Sequence, residues 1–304
     1  MMRVPKISII MLTYNRESLV GHMIECILTQ THSDFEFIIV DNGSTDCSST
    51  IVDEYAMKDS RICVIHRERG NIGSGRNAGL EVARGDYIAF VDDDDTCEPD
   101  FLEFLYNLAL ENNAEVSICG ARDKVFDEKR VMTAEEALIS LMWRKKYNMA
   151  FPTKMFRREI AADLRFPEDG AYDDIALMYR LLAKPQRVAY HGLPKYTFRR
   201  HEGNNSAWTT NHRLLTPQIL DEYLYAYRER TQWLSALFPA SAAAFHYFEW
   251  SFMISMVEKI TRLKLSECEY QLTSMKQELG ENRDEFLDSE YILDFEKEWM
   301  EKHL

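Results

Sequence analysis

"GNIGSGRNAGLEVARGDYIAFVDDDD", residues 70 to 95, is the stretch on which the fold turns. Residues 74 to 84 read as a helix. Tyr87, Ile88, Ala89, Phe90 and Val91 then form an unbroken apolar run of strand length, as a strand buried on both faces requires. Four aspartates, Asp92 to Asp95, stop that strand. Like charges this close repel and raise one another's pKa, so the run is unfavourable unless a cation or hydrogen-bond donors compensate it. The plain alternative is a solvated acidic turn.

The same helix-then-strand rhythm extends outward on both sides. Strands are predicted at Ile7 to Leu12, Phe35 to Val40, Ile62 to Ile65, Tyr87 to Val91 and Val116 to Cys119. Helices are predicted near 17 to 30, 47 to 58, 74 to 84 and 99 to 112. Alternation of this kind predicts an α/β fold, a mostly parallel sheet flanked by helices. Further on, helices are expected from Thr133 to about Trp143 and from Asp173 to about Ala183, with short strands at Arg187 to Tyr190 and Tyr196 to Arg199. Beyond Leu214 strand signals stop and the chain reads as helical. The expected division is a domain over 1–210 and a C-terminal helical extension over 211–304.

Composition narrows the class. The chain has 304 residues, 46% of them hydrophobic, enough for one large α/β domain with an extension or for two domains. A net charge of −14 argues against a nucleic-acid-binding surface. The six cysteines show no metal-site or framework spacing and read as free thiols of a reducing compartment. The N-terminal apolar run is too short for a signal peptide. A longer apolar window, Trp233 to Val257, is interrupted by Pro239, His246 and Glu249, which argues against a membrane span. A cytoplasmic enzyme is expected, with peripheral contact to the inner membrane face left open.

In an open parallel sheet, ligands bind beyond the carboxyl ends of the strands. Four strands here stop in polar residues: Thr13, Tyr14, Asn15 and Arg16; Asp41 to Asp46; Arg69 to Gly73; and the aspartates. Together they offer aromatic and amide groups for a base, a carboxylate for base N–H or ribose hydroxyls, arginines for phosphate, and acidic oxygens for a divalent ion. These are the parts of a nucleotide diphosphate site. If the run is extended, Asp92 and Asp94 point to one side as a D-x-D pair for one hard cation, and Asp93 points to the other.

The segments "ISIIMLTYNRE", "FIIVDNGSTD", "GNIGSGRNAGLEVARGDYIAFVDDDD", "FPEDGAYDDIALMYRLL" and "YTFRRHEGNNS" occur in an order and spacing that resembles the family 2 glycosyltransferases, inverting enzymes with the GT-A fold. The resemblance covers roughly residues 5 to 206. It implies that Thr13, Tyr14, Asn15, Arg16 and Asp41 hold the uridine of a UDP-sugar, with Asp41 at the uracil edge. It further implies that Arg76 approaches the nucleotide, that Asp93 sits near the ribose, and that Asp92 and Asp94 serve a divalent cation, Mn2+ or Mg2+. Asp174 matches the general base, Asp173 would bind donor sugar or acceptor, and Arg199 and His201 would lie near the metal and the diphosphate. The implied reaction moves a sugar with inversion onto a hydroxyl of a growing glycan, as in bacterial surface polysaccharide or glycoconjugate assembly. The acceptor would be a glycan, lipid-linked or protein-linked.

Two departures stand out. Asp173-Asp174 replaces a common Glu-Asp, and Pro152 stands where a Trp often precedes the residue matching Lys154. Both fall where sugar identity is read, so the donor sugar stays open. The same residues admit rival readings. "IAFVDDDDT" also fits the signature of haloacid-dehalogenase-like phosphatases, with Asp92 as nucleophile and Asp94 as acid, but that signature belongs on a first strand. The glycines from Gly73 to Gly79 invite a dinucleotide loop but miss its spacing. A calcium loop lacks its glycine. A non-catalytic scaffold of the same fold would be expected to have lost the aspartates. In the extension, Phe245, Phe248, Phe252 and Met256 make an apolar stripe for packing against the domain over 1–210 or a dimer partner, or for membrane docking.

Overall fold

A computed structural model describes residues 4–122, 126–168, 173–200, 204 and 207–304, without the side chain of Asp173. The chain divides into two compact units, Met1–Arg199 and Arg200–Leu304.

The first unit is an α/β sheet structure. Its strands are β1 (Ile7–Thr13), β2 (Phe35–Asp41), β3 (Ile62–His66), β4 (Tyr87–Asp92), β5 (Thr96–Cys97), β6 (Val116–Ala121), β7 (Lys129–Met132), β8 (Lys154–Arg157) and β9 (Val188–Thr197). The helices are α1 (Val20–Leu28), α2 (Ser48–Lys58), α3 (Ile72–Val82), α4 (Phe101–Glu111), α5 (Ala134–Trp143), α6 (Arg158–Ala161) and α7 (Asp173–Leu182). Among the described residues the strands form one sheet in the order β3-β2-β1-β4-β8-β6-β9-β5, with β7 also on β9. The half from β3 to β4 is wholly parallel. The other half is mixed: β6 and β9 are parallel, while β8 runs antiparallel to both β4 and β6, and β5 and β7 run antiparallel to β9.

Physical causes are plain in the parallel half. Ile7, Ile9, Ile10 and Met11 of β1 are sealed on both faces, as helices on either side of a parallel sheet demand. Val20, Met23, Ile24 and Ile27 recur at helical spacing and bury one face of α1 in the same core. Gly75 and Gly79 serve close packing: a Cβ on them would sit 2.7 Å from Leu12 and 2.5 Å from Ile10 of β1. The glycines of "GSGRNAG" therefore seat α3 on the sheet, and the dinucleotide alternative falls away.

Register aligns the site. Thr13 is opposite Asp41, Asp41 opposite His66, and Leu12 opposite Asp92. Four neighbouring strands thus end level with one another. The aspartate run is not extended, however. The strand ends at Asp92, and Asp95 N–H donates to the Asp92 carbonyl at 3.3 Å, closing a turn. The expected alternation of Asp92 and Asp94 against Asp93 does not hold, because a turn has no two-residue period. Two smaller expectations also change. Pro99 precedes the first turn of α4 rather than lying in it, and the two short strands expected near 190 and 197 are one strand, β9.

The second unit is helical: α8 (Pro217–Leu237), α9 (Ala242–Leu263), α10 (Glu269–Glu281), α11 (Arg283–Leu287) and α12 (Asp294–His303). Thr216 caps α8, accepting from Ile219 N–H, with Pro217 at its first position. The predicted apolar stripe is used within this unit. Phe245, Phe248 and Met256 are buried, and Phe252 stacks on Tyr227 at 4.3 Å. Among the described residues no helix is long and apolar enough to cross a membrane, and Pro239–Ser241 breaks the long apolar window.

Candidate active site

The carboxyl ends of β1, β2 and β4 build a network around the aspartates. Asp93 is buried, with the Arg16 Nε 3.7 Å from its Oδ1. Burial pushes its pKa up to about 7, against the relief given by the Thr13 hydroxyl and Arg16, while Asp94 and Asp92 add to the rise. Asp95 is also buried, and burial together with the charges of Asp92 and Asp94 raises its pKa. It accepts from the Arg199 backbone N–H at 2.7 Å. Arg199 thus meets the run through its main chain. The Tyr196 hydroxyl oxygen accepts from Asp92 N–H at 3.0 Å, tying β9 to the end of β4.

Arg76 reaches Asp92 at 3.3 Å, and its guanidinium lies 5.3 to 5.8 Å from the rings of Phe90, Phe151 and Phe166. An arginine walled by aromatic faces is held in place by both packing and cation–π attraction. It therefore orders Asp92 directly, a role the sequence did not show. Asp94 is buried beside these groups.

The loop after β1 is fitted to the loop after β2. Asn15 takes a left-handed backbone conformation, φ 50°. Its N–H donates to Ser44 Oγ at 3.1 Å and its Oδ1 accepts from Thr45 N–H at 2.8 Å. Arg16 N–H donates to Ser48 Oγ at 2.8 Å. Tyr14 is covered by the Arg69 guanidinium, 3.4 Å from its ring centre. Asp41 accepts from Ser44 N–H at 3.0 Å, from the Ser49 hydroxyl and from the His66 ring. Burial pushes the Asp41 pKa up, but these hydrogen bonds outweigh it and hold the carboxyl below its ordinary value.

Asp174 lies in the first turn of α7, where its Oδ1 accepts from Ile175 N–H at 2.9 Å. A helix N-terminus favours the ionised carboxylate. Lys154 acts on it electrostatically. That lysine is fully buried, donates to the Ala150 carbonyl at 2.6 Å, and lies level with Ile118 in the middle of β6. Burial drives its pKa down to about 7, against the pull of Cys119 and Asp174. His201 and the Asp173 side chain lie outside the described residues.

Arg16, Asp92, Asp93, Arg76 and Arg199 are thus connected directly or through Asp95, Asn15 joins Asp41 through Ser44, and Thr13 stands at the same strand edge opposite Asp41. Sequence reasoning gave no role to Asp95, Tyr196, Ser49, His66, Arg69 or Lys154. Asp95 and Tyr196 stood inside quoted segments, and Arg69 at a named strand end. The others are distant in sequence and become partners only through strand order.

With this site at the carboxyl edge of a half-parallel sheet, the chain belongs to the family 2 glycosyltransferases: the family model "Glycosyl transferase family 2" matches residues 8–179. Among individual proteins, it is 32% identical over 215 residues to the putative glycosyltransferase EpsH of Bacillus subtilis, covering 66% of this chain and 62% of that protein. In fold it is similar to S. aureus TarS in complex with UDP-GlcNAc, with a TM-score of 0.66 at 23% identity over 81% of this chain and 73% of that one. It is also similar to a mannosyltransferase of Pyrobaculum calidifontis in complex with GDP-Man and Mn2+, with a TM-score of 0.59 at 17% identity over 99% and 84% of the two chains. The GT-A architecture follows. Family membership and the place of the aspartates on β4, beside Arg76, set the phosphatase alternative aside.

Proposed function

We propose that this enzyme is an inverting, metal-dependent transferase that moves a sugar from a UDP-sugar to a hydroxyl of a growing glycan. The observation that carries this reading is the level ending of β1, β2, β3 and β4, which sets Thr13, Asp41, His66 and Asp92 along one edge beside carboxylates with raised pKa values. Support for a nucleotide-sugar donor comes from the UDP-GlcNAc held by TarS and the GDP-Man and Mn2+ held by the mannosyltransferase.

In this reading Asp41 accepts from the uracil N–H, and the Tyr14–Arg69 stack flanks the base. Asp93 meets the ribose, and Arg16 stands between Asp93 and the incoming phosphates. Crowded carboxylates with raised pKa values suit a compensating cation. Asp92 and Asp94 offer the oxygen ligands that Mg2+ or Mn2+ takes, with substrate phosphates and water to complete the set. Asp92 and Asp94, with His201 as a further candidate, would hold it, and its contribution is neutralisation of charge on the leaving diphosphate.

Asp174 accepts the proton of the acceptor hydroxyl as that oxygen attacks the anomeric carbon opposite the departing UDP. No covalent nucleophile is required, so an α-linked donor gives a β-linked product. The enzyme would work where nucleotide sugars are made, on the cytoplasmic side, with surface polysaccharide as its product class. Peripheral attachment to the inner membrane face and a homodimer are compatible with this setting.

The test is release of UDP from a panel of UDP-sugars with and without manganese, in the wild type, Asp94→Ala and Asp174→Asn. Metal-dependent release from one donor, lost in both variants, is expected. Tight UDP binding without turnover on any donor or acceptor would instead identify a non-catalytic sugar-nucleotide-binding module.

A further inference from the structure

Asp41 is held unusually firmly. Its side chain is 4% exposed and receives three protein donors: Ser44 N–H on Oδ1, and both the Ser49 hydroxyl and His66 Nδ1 on Oδ2, the ring at 3.0 Å. A carboxylate offers about four acceptor positions, so roughly one is left for a ligand. The His66 ring is gripped on its far side as well, with Nε2 2.9 Å from Asp53 Oδ1. Side-chain exposures of 45% for His66 and 54% for Asp53 make a chain of groups running from the sealed carboxylate out to solvent.

We propose that His66, clamped between Asp41 and Asp53, is a positioning residue for donor recognition: it fixes the Asp41 carboxylate and sets a positive charge beside the nucleotide, so that donor affinity follows the ring's protonation. The inference rests on the assignment of Asp41 to the base of a UDP-sugar.

Both ring nitrogens face carboxylate oxygens, and an imidazole donates to both only as the imidazolium. The hydrogen bonds with Asp41 and then Asp53 raise the pKa of His66 above its ordinary value. These two carboxylates, one from β2 and one from α2, are the charged groups that act on the ring. Below the raised pKa the ring serves both. Above it one N–H remains, and the sealed Asp41 keeps it, because an unsatisfied buried carboxylate costs more than one that can turn to water. Asp53 then hydrates, and what the site loses is positive charge. A donor carrying two negative phosphates binds more weakly in that state. The ring's contribution to affinity is therefore level below its pKa, falls across it and levels again above, on top of the dependence that Asp93 and Asp95 impart.

The test uses the full chain and UDP-GlcNAc, whose diphosphate diester does not titrate near neutrality. Affinity is measured by calorimetry from about pH 6 to about pH 9 for the wild type, His66→Gln, Asp53→Asn and Asp41→Asn, alongside an NMR titration of the His66 ring without ligand. Wild-type affinity is expected to weaken about three- to tenfold across the step. His66→Gln should lose the step that follows the ring titration and keep only the dependence that Asp93 and Asp95 impart. Asp53→Asn should keep the step but move it, and the ring titration, to lower pH, since one of the two carboxylates that raise the pKa is gone. A step at the ring's own midpoint retained in His66→Gln, or a midpoint that Asp53→Asn leaves in place, overturns the inference alone. Unchanged affinity in Asp41→Asn, or no wild-type binding, removes the donor assignment and the inference with it.

Discussion

At the amino ends of β1 and β2, Glu36 is buried and fully matched. Arg84 donates to Oε2 through Nε at 2.9 Å and Nη2 at 2.6 Å, Ser8 donates to Oε1 at 2.6 Å, and Arg84 N–H adds a further bond at 2.7 Å. Burial raises the pKa of Glu36, but these donors overcome it and leave the carboxyl below its ordinary value. Beyond the carboxyl end of β4, the neighbour of β1, Asp93 and Asp95 are buried as well, yet their pKa values are raised. One edge of the sheet closes its charge balance within the protein, and the other leaves it open for a ligand. That asymmetry identifies the working edge independently of any motif, since strained electrostatics gathers where ligands bind.

The sharpest way to probe the open edge is Asp174→Asn. General-base loss predicts a fall in turnover of about 10²- to 10⁴-fold, with donor affinity kept within about twofold. Steady-state turnover and calorimetry on the same variant separate the two. Weakened binding with turnover preserved would move Asp174 into the donor pocket. Next in size is ligand stabilisation: UDP with magnesium at a hundredfold excess over Kd should raise unfolding free energy by about 3 kcal/mol. Thermal shift should show the pair acting together, and Asp94→Ala should abolish that synergy. Equal shifts from UDP with and without the cation would show that no metal joins the aspartates to the diphosphate.

The two edges should also answer neutralisation with opposite signs. Asp93→Asn removes a strained charge and is expected to stabilise the apo protein by about 1–3 kcal/mol near pH 8 while weakening donor binding. Because the folded pKa of Asp93 is raised to about 7, the folded chain binds the extra proton between its unfolded value and that point. Wild-type stability therefore falls as pH rises through this window. At pH 5, where Asp93 already carries its proton, the substitution should change little. Glu36→Gln, by contrast, should cost about 1–3 kcal/mol and leave kcat unchanged. Chemical denaturation of both variants at the two pH values decides it. A shared sign would erase the distinction between the edges.

This division also explains what the sequence could disclose. In the parallel half β1, β2 and β4 are apolar runs buried almost throughout, β3 is buried only at Ile62, and the predicted limits of all four match the observed ones within a residue at each end. Every antiparallel pair involves β5, β7 or β8, none of which was foreseen. These strands are two to four residues long and carry Lys129, Arg130, Lys154 and Arg157, so no window of alternation or apolarity marks them. Their absence hid Lys154, which looks like a solvated lysine in sequence and is sealed only because β8 lies between β4 and β6. His66 was hidden in the same way. It closes a legible strand, but its partners Asp41 and Asp53 come from β2 and α2, and only the ladder brings the three side chains together.

The smallest effect belongs to the closed edge in acid. A carboxyl whose folded pKa lies below its unfolded value of about 4.3 contributes stability that is complete above that unfolded value and is lost as pH falls through the folded one. For Glu36 the donors responsible are Ser8 and Arg84, the latter through backbone and side chain, and the Arg84 side chain is 57% exposed, so solvent screens much of its charge. The acid arm assignable to Glu36 should therefore be only about 1 kcal/mol. Unfolding followed from pH 5 down to pH 3 should show the wild type losing its advantage over Glu36→Gln by that amount, with Ser8→Ala losing part of it. Parallel pH profiles for wild type and Glu36→Gln would mean that Glu36 is held by packing rather than by its charge, and the closed edge would then owe nothing to electrostatics.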